Sequence, residues 1–286
     1  MSLLAEGEVT LADGRTLAFV QWGRRGGPVV ALCHPATRVV QPGWDAAEDA
    51  GVRIVFPDRP GLGRSAFRAG RSVLDWPGDV AELMSHLEVE RFSVVGVSAA
   101  TPYALACGLV LTEQVNAVGV IAGIVPWDGT HRTGLAALAI DDPEAALAEI
   151  RERAESAGGT RGSAGGVDRP EPDGSLYARP EVQAALNAAG KETYRQGVDG
   201  PAYDTLLSLR PWGFGLGDLP TPCRWWHGGA DAVVPAEVVE QATAGFPQYF
   251  LRVVPGVGHG ICMTHVEPFL RDVVADQDSI NYEDSR

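Results

Sequence analysis

The spacing of apolar and polar positions changes along the chain and divides it into elements. Glu8 to Leu11 and Thr16 to Trp22 flank Ala12-Asp13-Gly14. Strand-like runs around such a turn predict a β-hairpin. Four short apolar runs follow: Val29 to Cys33, Val52 to Phe56, Phe92 to Val95 and Val115 to Ile121. Each is rich in β-branched residues, ends at Gly, Pro or Asp, and does not alternate. That pattern suits strands buried on both faces of a parallel sheet. Cys223 to Trp226 and Tyr249 to Val254 repeat it near the C-terminus. Helical spacing lies between the runs, over Val73 to Leu87 and Thr101 to Leu111, and again over Glu267 to Ala275. The polar tail from Asp276 to Arg286 is expected to fray.

Between Trp127 and Trp212 the strand rhythm stops. Asp142 and Pro143 form an N-cap and first-turn pair that opens a helix with Ala146, Leu147, Ile150 and Ala154 on one side. Glu155 to Gly174 holds six glycines and two prolines, the composition of a loop. Further helices are expected after Pro180 and near Tyr203 to Leu209. The expected division is a core made of residues 1–127 and 213–286, with a helical insertion over 128–212 that reads as a lid over the sheet, the alternative being a surface elaboration without function.

A length of 286 residues suits one large domain with such an insertion. No run approaches 18 uninterrupted apolar residues, and the N-terminus lacks the basic-then-apolar order of a signal peptide, so a cytoplasmic protein is expected. Cys33, Cys107, Cys223 and Cys262 are scattered through apolar runs without a Cys-x-x-Cys pair, which points to buried thiols and to no metal site. A formal net charge of −14 argues against nucleic acid and anionic membrane as partners. A small-molecule substrate is compatible with it.

The candidate chemistry begins at Gly-Val-Ser-Ala-Ala, residues 96 to 100, between a β-run and a helix. A strand-to-helix turn that presents a strained serine needs small flanking residues, here Gly96, Ala99 and Ala100. Ser98 as a plain helix N-cap is the alternative, and the two roles are compatible.

With these residues the chain resembles the α/β-hydrolase superfamily, especially its cap-bearing esterase-like and proline-iminopeptidase-like members. Three further segments carry the resemblance: Phe-Pro-Asp-Arg-Pro-Gly-Leu-Gly-Arg-Ser (56–65), Trp-His-Gly-Gly-Ala-Asp-Ala-Val-Val-Pro (226–235) and Pro-Gly-Val-Gly-His-Gly (255–260). The resemblance implies a mostly parallel central sheet flanked by helices, with an inserted helical cap. It implies Ser98 as nucleophile, His259 as base and Asp231 as the residue orienting that base, with no cofactor. The chemistry agrees: a serine hydroxyl needs an adjacent base, histidine titrates near working pH, and a buried carboxylate fixes the imidazole tautomer.

The resemblance also implies an oxyanion hole from the N–H groups of Ala99 and Ala36. Where the family carries His-Gly, this chain has His34-Pro35, a candidate cis bond. Asp128 is an alternative acid. His34 and His227 are expected to position backbone, Asp58 to be structural, and His86, His131 and His265 to sit at the surface or in packing. Trp127, Trp212, Phe214 and Met263 are candidate pocket residues. The expected reaction is cleavage of an ester, less readily an amide, of a small, mostly apolar molecule through an acyl-Ser98 intermediate. Two alternatives remain open: the same residues running a lyase, cyclase or transacylase step, and a non-catalytic ligand-binding protein of this fold.

Overall fold

The computed structural model describes residues 3–37, 43–126, 134–157 and 169–283, the last eight of these as backbone. The strands are β1 (Leu3–Thr10), β2 (Thr16–Gly23), β3 (Val29–Cys33), β4 (Arg53–Pro57), β5 (Phe92–Val97), β6 (Val115–Ile121), β7 (Cys223–Gly228) and β8 (Tyr249–Val254). They form one sheet in the order β1-β2-β4-β3-β5-β6-β7-β8. The β1–β2 and β2–β4 pairs are antiparallel and the remaining pairs are parallel. The hairpin turns where Gly14 adopts a φ of +84°, a conformation open to glycine at little cost.

Helices α1 (Ala46–Asp49), α2 (Trp76–His86), α3 (Thr101–Val110), α9 (Ala236–Thr243), α10 (Ile261–Thr264) and α11 (Val266–Glu283) accompany the sheet. Helices α4 (Gly134–Asp141), α5 (Pro143–Ser156), α6 (Asp173–Tyr177), α7 (Pro180–Thr193) and α8 (Asp199–Leu209) lie between β6 and β7. The Asp142 carboxylate accepts from the Ala145 N–H at 3.0 Å, the N-cap expected from the sequence. Two expectations are corrected. The C-terminal tail does not fray at 276: α11 runs on to Glu283, because no glycine or proline interrupts it after Pro268. The glycine-rich loop does not extend to 174, since α6 begins at Asp173.

Alternate strand residues feed two cores, one on each face of the sheet. Ala31, Val55, Val94, Val118 and Trp225 pack with α2 and α3, whereas Val30, Ile54, Val95, Ile121 and Trp226 pack with α1 and α11. A third, smaller cluster of Ala139, Ala146, Ile150, Ala202 and Leu206 holds α4, α5 and α8 together. All four cysteines are free and buried, and burial pushes the Cys33 thiol up to about 11.

Where α8 meets the loop after β4, a charged cluster is buried. Arg59 and Arg71 both bind the Asp204 carboxylate, with contacts of 2.7 and 2.9 Å, and the Tyr103 hydroxyl donates to it at 2.7 Å. A second Arg59 nitrogen donates to the His34 carbonyl at 2.7 Å. Burial alone would raise the Asp204 carboxyl, but the charges of Arg59 and Arg71 hold it well below the usual carboxylate range. Removing the carboxylate leaves two guanidiniums in a dry site, so Asp204→Ala is expected to cost about 3–5 kcal/mol in urea unfolding. Because the folded value is depressed, this stability is complete above the ordinary value of 3.8 and is lost as the pH falls below it. The variant should therefore show a shallower loss of stability in acid, and an unchanged unfolding midpoint would refute this account.

Candidate functional site

Ser98 occupies the break between β5 and α3, within a single 3₁₀ turn over Ser98–Ala100. Its φ is +49°, the left-handed region that a non-glycine residue rarely adopts. The backbone strain is held by close packing. A Cβ on Gly96 would lie 2.8 Å from the Ala104 Cβ and 3.0 Å from the Thr101 Cα, so only glycine lets strand and helix approach here. The Thr101 hydroxyl donates to the Ser98 carbonyl at 2.6 Å and fixes the turn from the other side. Ser98 and Ala99 are half-buried, while Ala100 is buried.

The residues after β7 and β8 converge on this turn. Ser98 Oγ lies 2.9 Å from His259 Nε2, and His259 Nδ1 lies 2.7 Å from Asp231 Oδ2. The other Asp231 oxygen accepts from the Val233 and Val234 N–H groups at 2.8 and 3.0 Å. Burial opposes ionisation of Asp231, but the His259 hydrogen bond and charge bring its carboxyl below the usual range. The acid and histidine loops can touch because Gly228 lacks a side chain: a Cβ there would sit 2.4 Å or less from the Val257 and Gly258 carbonyl oxygens.

His227 is fully buried beside Asp231. Its Nε2 donates to the Val234 carbonyl at 2.8 Å and lies 3.3 Å from Asp231 Oδ2. Burial lowers its pKa, so the ring is neutral near pH 7. His34 engages main chain as well: its Nδ1 accepts from the Ala36 N–H at 3.0 Å. That bond draws the Ala36 donor into its own loop, a detail the sequence did not reveal. The His34–Pro35 bond is trans; among the described residues only Glu171–Pro172 is cis. Asp58 accepts from the Arg64 N–H at 3.0 Å within its own loop.

A cavity of about 120 Å³ opens beside the Ser98 turn, lined by Pro35, Ala36, Ala99, Leu62, Leu186 and Pro201 among others. Its three aliphatic hydroxyls are already committed. Thr193, Thr205 and Ser208 donate to the carbonyls of Ala189, Pro201 and Thr205, so they offer a ligand no free hydrogen. Trp212, Phe214 and Met263 are not in its wall. Trp212 is buried in the core, donating to the Ser208 carbonyl at 3.2 Å, and Met263 packs in the core on the other face of the sheet. Trp127, Asp128 and His131 lie outside the described residues.

One residue in contact with the site was missed from the sequence. Asp173, at the start of α6, is buried and accepts from the N–H groups of both His259 and Gly260. Its position in a stretch read as loop, 86 residues before His259, gave no signal.

Comparison with known proteins follows the same lines. A family model described as the alpha/beta hydrolase family matches residues 23–272. A bifunctional esterase/perhydrolase of Acinetobacter calcoaceticus is 27% identical over 94% of this chain and 98% of its own length. A non-heme haloperoxidase of Rhodococcus erythropolis is 25% identical over 93% of this chain and 97% of its own. Among solved structures, a thermophilic esterase from Thermogutta terrifontis superposes with a TM-score of 0.70 at 22% identity, covering 96% of this chain and 99% of its own.

Proposed function

The chain belongs to the alpha/beta hydrolase family, and from that premise we propose that it is a serine esterase acting through an acyl-Ser98 intermediate. The observation that carries the reading is the unbroken line of hydrogen bonds from Ser98 Oγ through the His259 ring to Asp231, ending on a serine at φ +49°. In this reading His259 takes the Ser98 proton as the hydroxyl oxygen attacks the ester carbonyl. It then returns the proton to the departing alcohol. Asp231 holds the proton-bearing face of the ring at Nδ1 and stabilises the imidazolium. The N–H of Ala99, directly after the nucleophile, serves as one donor to the developing oxyanion, and the Ala36 N–H joins it by turning from His34 Nδ1. Helices α4 to α8 serve as the cap, and the cavity behind Ala36 and Ala99 receives the acyl group.

That cavity sets the expected substrate. An engineered cavity of about 150 Å³ holds benzene, so a space of about 120 Å³ suits a short, unbranched acyl chain. Across p-nitrophenyl acetate, butyrate and octanoate, kcat/KM is expected to be highest for the first two. It should fall by about tenfold or more at octanoate, the equivalent of one overpacking penalty. A rise toward octanoate would overturn the assignment of the acyl pocket.

The activities for which the relatives are named favour a second acceptor. One is named for perhydrolysis as well as ester cleavage, and others for haloperoxidation without haem. Hydrogen peroxide attacking the acyl carbon would break the Ser98 ester, form the peracid and return the proton to Ser98 through His259. Peracid release from an acetate ester with peroxide present tests this, against the same reaction in water alone.

A further inference from the structure

We infer that Asp173, carried by the helical insertion, is a positioning residue for His259 in the reaction proposed above. The histidine loop leaves β8 at Val254, and main-chain bonds tie its first half to the acid loop. The Gly229 N–H donates to Val254 O and the Ala230 N–H to Val257 O, each at 2.8 Å. Beyond Val257 the chain turns toward the serine, and there the main chain of the histidine is held from the opposite side. One Asp173 oxygen accepts from the His259 N–H at 2.7 Å and the other from the Gly260 N–H at 2.8 Å.

Two successive N–H groups turned to one carboxylate form an anion cradle, and a charged acceptor makes each bond stronger than a neutral one. The side-chain bonds to Asp231 and Ser98 set the tilt of the imidazole. The Asp173 bonds set where its Cα stands. Both are needed, because a displacement of about 1 Å at a reacting group can cost about 10²-fold in rate.

The loop sequence is shaped around this carboxylate. A Cβ on Gly258 would lie 2.5 Å from the Asp173 carboxyl carbon, and all of its nearest neighbours are atoms of that side chain. A Cβ on Gly260 would lie 2.2 Å from Leu176 Cδ2 and 3.0 Å from Asp173 Oδ1. The two glycines flanking His259 therefore make room for α6. The helix in turn is built into the molecule: Leu176 and Tyr177 of α6, with Val182 of α7, pack in the same core cluster as Ile261, Cys262 and Met263. The insertion thus holds the histidine loop as part of the core rather than swinging over it.

The test is a set of purified variants measured by steady-state kinetics and by the rate of Ser98 phosphonylation with a fluorophosphonate. Asp173→Asn keeps the shape but turns an amide donor toward one of the two N–H groups. It is expected to lower kcat and the phosphonylation rate together, by about 10- to 100-fold, with KM within about twofold. Gly258→Ala provides the second arm, since its φ is ordinary and the three atoms nearest its added methyl all belong to the Asp173 carboxyl group. It should cost about tenfold in the native background and less than about twofold in Asp173→Ala, a coupling that a general loss of stability does not produce. Should Asp173→Asn prove insoluble, this coupling decides the matter. Native protein that reacts with the probe, with Asp173→Asn reacting equally fast, would overturn the inference while leaving the esterase reading intact. Additive losses in the double variant would also overturn it. Native protein that fails to react would overturn both.

Discussion

Ser98→Ala is expected to reduce turnover of p-nitrophenyl acetate by about 10⁶-fold, to the level left by binding and oxyanion stabilisation alone. In the proposed mechanism every later event depends on the bond between Ser98 Oγ and the acyl carbon, so no residue beside it substitutes. The fold should not notice the change. Alanine keeps the Cβ, so it meets the same strain at φ +49° that serine meets, and the Gly96–Ala104 contact that imposes the turn is untouched. Only the hydrogen bond to His259 Nε2 is lost, at a half-buried position that water can reach. Thermal unfolding should therefore shift by no more than the value of one such bond, about 1 kcal/mol. Activity within about tenfold of the native protein, in a correctly folded variant, would remove Ser98 from the mechanism.

Asp231→Asn is the second large effect, expected at about 10⁴-fold in kcat. The structure says why an amide fails there despite its matching shape. Asp231 Oδ1 accepts from the Val233 and Val234 N–H groups, so the one oxygen of asparagine is committed to that side. Its NH₂ group must then face His259 Nδ1, where the carboxylate now accepts. The imidazole can satisfy a donor at Nδ1 only by carrying its own proton on Nε2, and in that tautomer it cannot take the proton from Ser98. Asp128→Asn is expected to stay within about tenfold of native activity in the same assay. The reverse ranking of the two variants would transfer the orienting role to Asp128.

Much of this architecture is written in local pattern. Short β-branched runs without alternation can be buried only between two layers of helices, and β3 to β7 obey that rule. By contrast, β8 is the edge strand and leaves Phe250 exposed, so the double burial expected for Tyr249 to Val254 is not met. The Gly14 turn, the Asp142 cap and the Gly96-to-Ala100 turn are local too, because each depends on the conformational range of a few adjacent residues. The order of Ser98, Asp231 and His259 was legible because each sits in a short loop directly after a strand. A parallel sheet brings the ends of its strands to one edge without further instruction. The helical extension beyond Ala275 escaped notice since a polar composition speaks to exposure and says little about helix formation.

What the sequence could not decide was which distant groups meet once those loops are gathered. Asp173 lies in a glycine- and proline-rich stretch, and nothing nearby shows that its carboxylate faces two N–H groups 86 and 87 residues away. Arg59 and Asp204 pair across 145 residues, and their value comes from shared burial, which no window along the chain contains. The Ala36 N–H was assigned to the site from its place in a motif, yet its partner depends on the rotamer of His34. Trp212 was a pocket candidate for its size and position, yet it packs in the core cluster and donates to the Ser208 carbonyl. Local sequence fixes backbone conformation and the burial pattern of each element. Pairing between polar groups far apart is set by the packing of whole elements against one another, and only the tertiary structure decides it.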